Sequence, residues 1–458
     1  MSNAIAPAGT YVLKSFVISA LTEDGRPNTQ ESSESIDLKA IVHTWDLSES
    51  MRSGAIQGTA KVYDTPGVFY KFPLRGQERL TIEYEDYFGE VRTENLFIFA
   101  ITDVNPAGSA SDDILEYKLH FCSFGKFFSD RFSIQRCIAD GTGNARRYVP
   151  ISEQIDTLFE DYYDDGGEGT EKSILIHETE GPQKIVIPNM TPENAIHLLA
   201  RKAYNSEYPT HMYRFFENRD QYYFVNLEKW IEDYDEESIL NFQYVKGPPD
   251  NTPQEEARRM RYITNMSFGT YVNTMNSLTT GAYYRNTYEI DLNNRRTIDN
   301  NYSHKEEFKN YLYAHKENER IHLRHTDQFI DQHLNNSHTT YVFKDYPDSD
   351  APQAYGLRPR TNFAEIMNTR AATLFNMNEN NISVTIFGHN KVVAGSIIDV
   401  EIPEFKDQND VDVRVSGRYL VESVKNVFVE NNYFQNLVLI RGPQLSRNRR
   451  QSNEQVVV

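Results

Sequence analysis

Six of the twelve histidines in this chain fall between His304 and His338. His322 and His325 are spaced i,i+3, close enough to share one helix face, with Asp327 or His315 as further donors. Imidazole suits zinc, iron or nickel, so this segment is the chain's candidate metal centre and the basis of one functional reading, a metal-dependent hydrolase. Neither an HExxH nor a cysteine-bearing pattern accompanies the pair, and the surrounding residues are polar. The plainer reading is a solvated, histidine-rich face, and the expectation is that no metal or other cofactor is held.

Other chemistry-bearing patterns weaken in the same way. Asp161-Tyr162-Tyr163-Asp164-Asp165-Gly166 has the look of a calcium loop, but Tyr163 and Lys172 stand where the register needs an acid. Gly141-Thr142-Gly143-Asn144-Ala145-Arg146-Arg147 lacks both the Gly-Lys-Ser/Thr ending of a P-loop and the third glycine of a dinucleotide site, and reads as a loop before Pro150. Carboxylates are plentiful, but a glycosidase pair is defined by separation in space, which spacing in sequence does not give. The chain has no serine nucleophile elbow, and neither Cys122 nor Cys137 has a convincing histidine partner nearby in sequence. No catalytic residue is expected, and the chain does not read as an enzyme.

The elements that would position such residues are mainly β. At 458 residues the chain has room for two to four domains. Its 29 Tyr and 26 Phe against 2 Trp suit many half-buried strands. No run approaches the roughly 18 apolar residues of a membrane span, so membrane insertion is not expected. The first ten residues lack a basic segment leading into an apolar core, so no signal peptide is expected. Two cysteines make no disulfide framework and suit folding in a reducing cytosol. A net charge of −19 argues against a basic nucleic-acid reader, though an acidic wall past which DNA slides is compatible with it.

Along the chain, alternation over 36–42 predicts a strand, Leu80–Tyr84 and Leu96–Val104 pair across Asp86-Tyr87-Phe88-Gly89, and Asn105-Pro106-Ala107-Gly108 reads as a breaker before a strand over Ile114–Phe121. Ile151, Ile155, Leu158, Phe159 and Tyr162 predict a helix over 151–163. Thr191-Pro192-Glu193 is a helix start, with Thr191 as cap. A hairpin follows, 211–217 and 221–227, turning at Asn218-Arg219-Asp220. Short strands are expected over 277–291, polar helices near 304–335, and a helix capped by Thr361. The C-terminal strands are Ile382–Phe387, Ser396–Ile402, Gly417–Glu430 and Tyr433–Arg441.

Three blocks resemble the baseplate hub proteins of contractile-tailed bacteriophages, a group that includes the T-even hub, late control protein D and the hub portion of type VI secretion spikes. The first is Val62-Tyr63-Asp64 with Phe72-Pro73-Leu74, Gly76, Glu78, Leu80 and Ile82. The second runs from Ile187-Pro188-Asn189-Met190-Thr191-Pro192 through its helix to Tyr213–Glu217 and Tyr222–Phe224. The third is Gly395–Val400 with Ile402-Pro403, then Gly417, Tyr419–Val421 and Leu437–Arg441. The resemblance implies two similar barrel-like tube modules plus a mixed α/β domain, mainly β with α+β insertions. It implies a homotrimer ring of six barrels that adapts a sixfold tail tube to a threefold spike, with baseplate wedge proteins as further partners. DNA would pass through the lumen without specific binding, and part of the acidic charge is expected to face it. The location implied is the virion tail baseplate, assembled in the bacterial host cytoplasm; the hub of a type VI or extracellular contractile injection system is the alternative. Expected limits are 1–124 for the first barrel, 125–246 for the mixed domain, 247–360 for an irregular connector lending strands to the second barrel, 361–445 for the second barrel and 446–458 for a flexible tail. The structural residues expected at turns and rims are Pro73, Gly76, Gly395, Pro403 and Gly417.

Overall fold

Period-2 alternation with one apolar face needs a partner sheet or a closed barrel, and this chain uses closure twice. The computed structural model describes residues 7–20, 35–72, 74–107, 114–138, 149–164, 171–183, 185–208, 210–245, 253–269, 284–291, 295–303, 339–343, 367–368, 370, 381–404, 410–412 and 415–441. The N-terminal strands are β1 (Val12–Ser19), β2 (Ser35–Asp37), β3 (Val42–Ser50), β4 (Gln57–Asp64), β5 (Arg79–Glu85), β6 (Val91–Ala107) and β7 (Ile114–Ser123). A mixed region carries β8 (Ile174–Ile176), β9 (Tyr213–Glu217) and β10 (Tyr222–Asn226). The remaining strands are β11 (Leu240–Tyr244), β12 (Tyr262–Phe268), β13 (Tyr284–Asp291), β14 (Arg296–Ser303), β15 (Thr339–Phe343), β16 (Asn381–Phe387), β17 (Ile397–Glu401), β18 (Gly417–Val429) and β19 (Asn432–Ile440).

Thirteen strands form one continuous sheet in the order β17-β11-β12-β16-β19-β18-β3-β4-β7-β6-β5-β1-β2, and β17 also pairs with β18. That extra pairing closes β11, β12, β16, β19, β18 and β17 into a six-stranded barrel around Phe242, Ile263, Val384, Val400, Val421 and Leu439. The first barrel, β1 and β3 to β7, is completed by the tip of the β18–β19 hairpin. Its β3 pairs with β18, and Thr10, just ahead of β1, bridges Asn432. Phe428 and Tyr433 from that hairpin therefore sit in the core of the first barrel with Phe16, Trp45, Ile82 and Tyr117.

The two barrels repeat each other in register. Neighbours in β3-β4-β7-β6-β5 and in β12-β16-β19-β18-β17 are antiparallel throughout. The bulge between Val42 and Thr44 on β3 recurs between Ile263 and Asn265 on β12. That between Ile98 and Ala100 on β6 recurs between Val421 and Ser423 on β18.

The acids of the first sequence block hold its turns. Buried Asp64 accepts from Val68 N and Phe69 N at 2.8 and 2.7 Å and so starts the short helix Val68–Lys71. Buried Glu78 accepts from the backbone N–H groups of Arg75, Gly76 and Gln77. The mixed region packs helices Ile151–Phe159 and Pro192–Ala200 on β8-β10-β9 around Ile155, Leu158, Ile196, Leu199 and Phe215. Thr191 precedes the second helix, but its hydroxyl accepts from the Asn194 side chain rather than from a backbone N–H.

Several expectations need correction. The strand expected over 36–42 is broken, because Asp37 Oδ1 accepts from Phe16 N and Lys39 N and turns the chain before β3 begins. The breaker at 105–108 does not end β6, which runs to Ala107 with Pro106 beside a bulge. β11 lies in the second barrel, although the expected boundary at 246 would place it in the mixed domain. The expected helices near 304–335 and most of the helix after Thr361 lie outside the described residues.

Candidate functional site: the joint between the barrels

β18 leaves β17 after Leu420 and pairs with β3 from Ser423↔Ser50 to Val429↔Thr44. This antiparallel joint welds the barrels. Inside it the Phe428 ring stacks on Trp45, with centroids 3.6 Å apart and planes 3° off parallel, and on Tyr433 at 4.2 Å. Outside it the sheet is concave, enclosing about 560 Å³ lined by such residues as Ser48, Ser50, Ser267, Thr385, Lys425 and Asn436. The lysines on the outward positions of these strands are each met by an acid across the sheet: Lys61 by Glu116 at 2.8 Å, Lys118 by Asp103 at 2.9 Å and Lys425 by Asp46 at 3.6 Å.

A third body is pinned to the joint by an arginine. The β9–β10 turn, Asn218-Arg219-Asp220, inserts between the barrels, and the Arg219 side chain is fully buried. Its Nη1 donates to Tyr84 Oη at 3.0 Å and Tyr433 Oη at 3.3 Å, the first on β5 and the second on the β18–β19 hairpin that the barrels share. Nη2 donates to Val392 O at 2.7 Å, and the backbone N–H donates to Glu49 Oε2 at 2.9 Å. Nε lies 3.3 Å from Glu49 Oε1, an ion pair without hydrogen-bond alignment. Nearby, Lys172 donates to Glu217 Oε1 and to Asn218 O, both at 2.9 Å, while Glu217 Oε2 accepts from Ile56 N at 3.2 Å. At the rim, Asn390 N donates to Asp86 Oδ2 at 3.0 Å, and Arg92 bridges Asn390 O and Asp220.

This cluster sets three carboxylates, Glu49, Glu94 and Glu217, against two cations, Lys172 and Arg219, with Arg92 at its edge. Burial pushes Glu49 up despite Arg219. Burial also pushes Glu94 up, to about 7, against the pull of Lys172, Arg219 and Arg92. Glu94 Oε1 is buried and has no hydrogen-bond partner. Burial thus favours the neutral form of the Glu94 carboxyl more than its cationic neighbours favour the charged one. Between the ordinary carboxyl value of 4.5 and about 7 the folded chain keeps a proton that the unfolded chain releases. Stability should therefore fall as pH rises through that window and level off above it, by about 3 kcal/mol. Glu94→Gln, neutral throughout, is expected to remove most of this slope and to exceed the native chain in stability above the window. Urea midpoints on either side of the window check this, and an unchanged slope would show that Glu94 does not hold the proton.

The turn and rim residues expected from sequence that the structure describes lie in the two barrels, away from the paired stretch of β18 and β3. Gly76, Gly395 and Gly417 have φ of 79°, 91° and 141°. Gly395 N donates to Val421 O, and its carbonyl accepts from Trp230 Nε1 at 2.8 Å, tying the second barrel to the mixed domain. Pro403 follows β17 and bridges Val411. Pro73, His322 and His325 lie outside the described residues, among which no group of three metal-ligating side chains occurs. No motif in the sequence marks Arg219, Glu49, Glu94, Lys172 or Glu217 as functional.

The sequence matches no protein-family model and no curated protein. Among solved structures, the chain is similar to the tail protein from Neisseria meningitidis MC58, with a TM-score of 0.52 and 10% identity over 96% of this chain and 99% of that one. It is also similar to the 43 kDa tail protein of prophage MuSo2 from Shewanella oneidensis, with a TM-score of 0.50 and 8% identity over 94% of this chain and 99% of that one. At these identities the likeness is one of fold.

Proposed function

We propose that three copies of this chain form the central hub of a phage tail baseplate, a ring of six barrels between the sixfold tail tube and the threefold spike. The observation that carries this reading is the in-register repeat of two barrels within one chain, joined side by side through one sheet. Three such chains supply six near-equivalent barrels but only three mixed domains, which is the mismatch an adaptor from six to three requires. The fold likeness to two tail proteins supports the same role. In this reading the partners are the tail-tube protein, the spike and the baseplate wedge proteins, and DNA crosses the central channel. The chain works by assembly, without catalysis or a cofactor, in a baseplate put together in the host cytoplasm.

The test is the mass in solution by size-exclusion chromatography with light scattering. Three chains of 53.1 kDa give about 159 kDa. A trimer is expected; a particle of one chain's mass at every concentration, with or without the cognate spike, contradicts the reading.

A further inference from the structure

β9 carries an arginine on an apolar face. Tyr213 and Phe215 enter the core beneath the helices, while Met212 and Phe216 meet Met51, Leu420 and Ile440 in the seam between the mixed region and the barrels. Arg214 alternates onto that second face, opposite Val225 of β10, and is half-buried. Among the described residues no carboxylate, carbonyl or hydroxyl pairs with its guanidinium. The acid whose charge reaches it, Glu422, is already paired with Arg52 of the β3–β4 turn.

Two more arginines stand by it. Arg370 donates from Nε to His211 O and from Nη2 to Ala203 O, both at 3.0 Å, and from Nη1 to Arg201 O. It thereby sets a cation at the carbonyl end of the helix Pro192–Ala200, where the helix dipole favours one. Burial first, then Arg214 and Arg201, lower Arg370 to about 10. Burial and then Arg370 lower neighbouring His211 to about 4, so it adds no charge near neutral pH. Arg214 is lowered too, by burial and then by Arg52. Among the described residues no carboxylate pairs with Arg201, Arg214 or Arg370, although the chain carries a net charge of −19. A cation drawn from water without a partner costs stability, and like charges gathered around it add to that cost.

We infer that Arg214 heads a binding site for an oxyanion, either free phosphate or a carboxylate on an acidic segment of a partner, with Arg370 and Arg201 supplying the positive surroundings. The planar guanidinium fork matches two oxygens of such a group. Arg370 contributes charge alone, because each of its three nitrogens already donates to a carbonyl. An apolar face holds an arginine's stem and leaves its head for a ligand. The site stands on these residues and is independent of the hub reading.

Urea midpoints test the site, measured with and without anion at fixed ionic strength, with sodium chloride as the balancing salt. In chloride alone, Arg214→Met is expected to exceed the native chain in stability, because it removes an unpaired charge and keeps an apolar stem. Inorganic phosphate or an acetylated tetraglutamate peptide should raise the native midpoint and then saturate. In Arg214→Met the half-saturating concentration should rise about tenfold or more. Arg214→Lys keeps the charge and loses the fork, and should retain a weaker saturable response; it gives a second reading if the methionine variant does not fold. A response to phosphate alone assigns the site to a free anion, and a stronger response to the peptide assigns it to an acidic partner. An equal rise in the native chain and both variants would be a general salt effect and overturns the site, as does no rise with either probe.

Discussion

Arg219→Ala is expected to cost about 3–5 kcal/mol of folding stability, because it leaves the buried Glu49 carboxylate without its cation. It also strips the phenol groups of Tyr84 and Tyr433 and the carbonyl of Val392 of a donor. Part of this loss comes from the stranded partner rather than from the bond itself, so Arg219→Met with Glu49→Leu should cost less than Arg219→Ala alone. Urea denaturation of the single and double variants measures both. If the double variant were the worse of the two, the ion pair would be contributing net stability and this description of the joint would need revision.

Phe428→Ala is expected to cost a similar amount, about 3–5 kcal/mol, the usual range for a large aromatic removed from a packed core. The side chain has no exposure and stacks on both Trp45 and Tyr433. The location of the damage is more telling than its size. Phe428 belongs to a C-terminal strand but sits in the N-terminal barrel. Hydrogen exchange should therefore quicken first in β3 and β4, more than 360 residues upstream by numbering. Faster exchange confined to β16 and β17 would mean that the barrels do not share the hairpin as described.

The barrel strands were legible because each follows a local rule. Ile382–Phe387 and Tyr433–Arg441 alternate cleanly, and turn residues such as Asp86-Tyr87-Phe88-Gly89 separate them. The rule fails where alternation continues through a turn. Residues 36–42 keep the period of a strand, yet the Asp37 carboxylate bends the chain in the middle. It fails also at Pro106, which a free edge beside a bulge accommodates without ending the strand. β11 escaped because its partner β17 lies more than 150 residues away and pairs in parallel.

The joint itself was not legible. Asn218-Arg219-Asp220 reads as an ordinary polar surface turn, and only the packed structure brings Glu49 to it across 170 positions. Glu94 lies between Thr93 and Asn95 on a strand whose alternation gives no hint that its inward position carries an acid. Buried charge that serves a contact between modules leaves no local signature, since each partner is unremarkable in its own segment.

The central claim is that two barrels per chain become six in a ring, and end-on electron-microscopy class averages of the purified assembly test it most directly. Six lobes of barrel size around an open channel are expected, with threefold symmetry visible in the attached mixed domains. An assembly with twofold symmetry, or three separated pairs of lobes enclosing no channel, would contradict it.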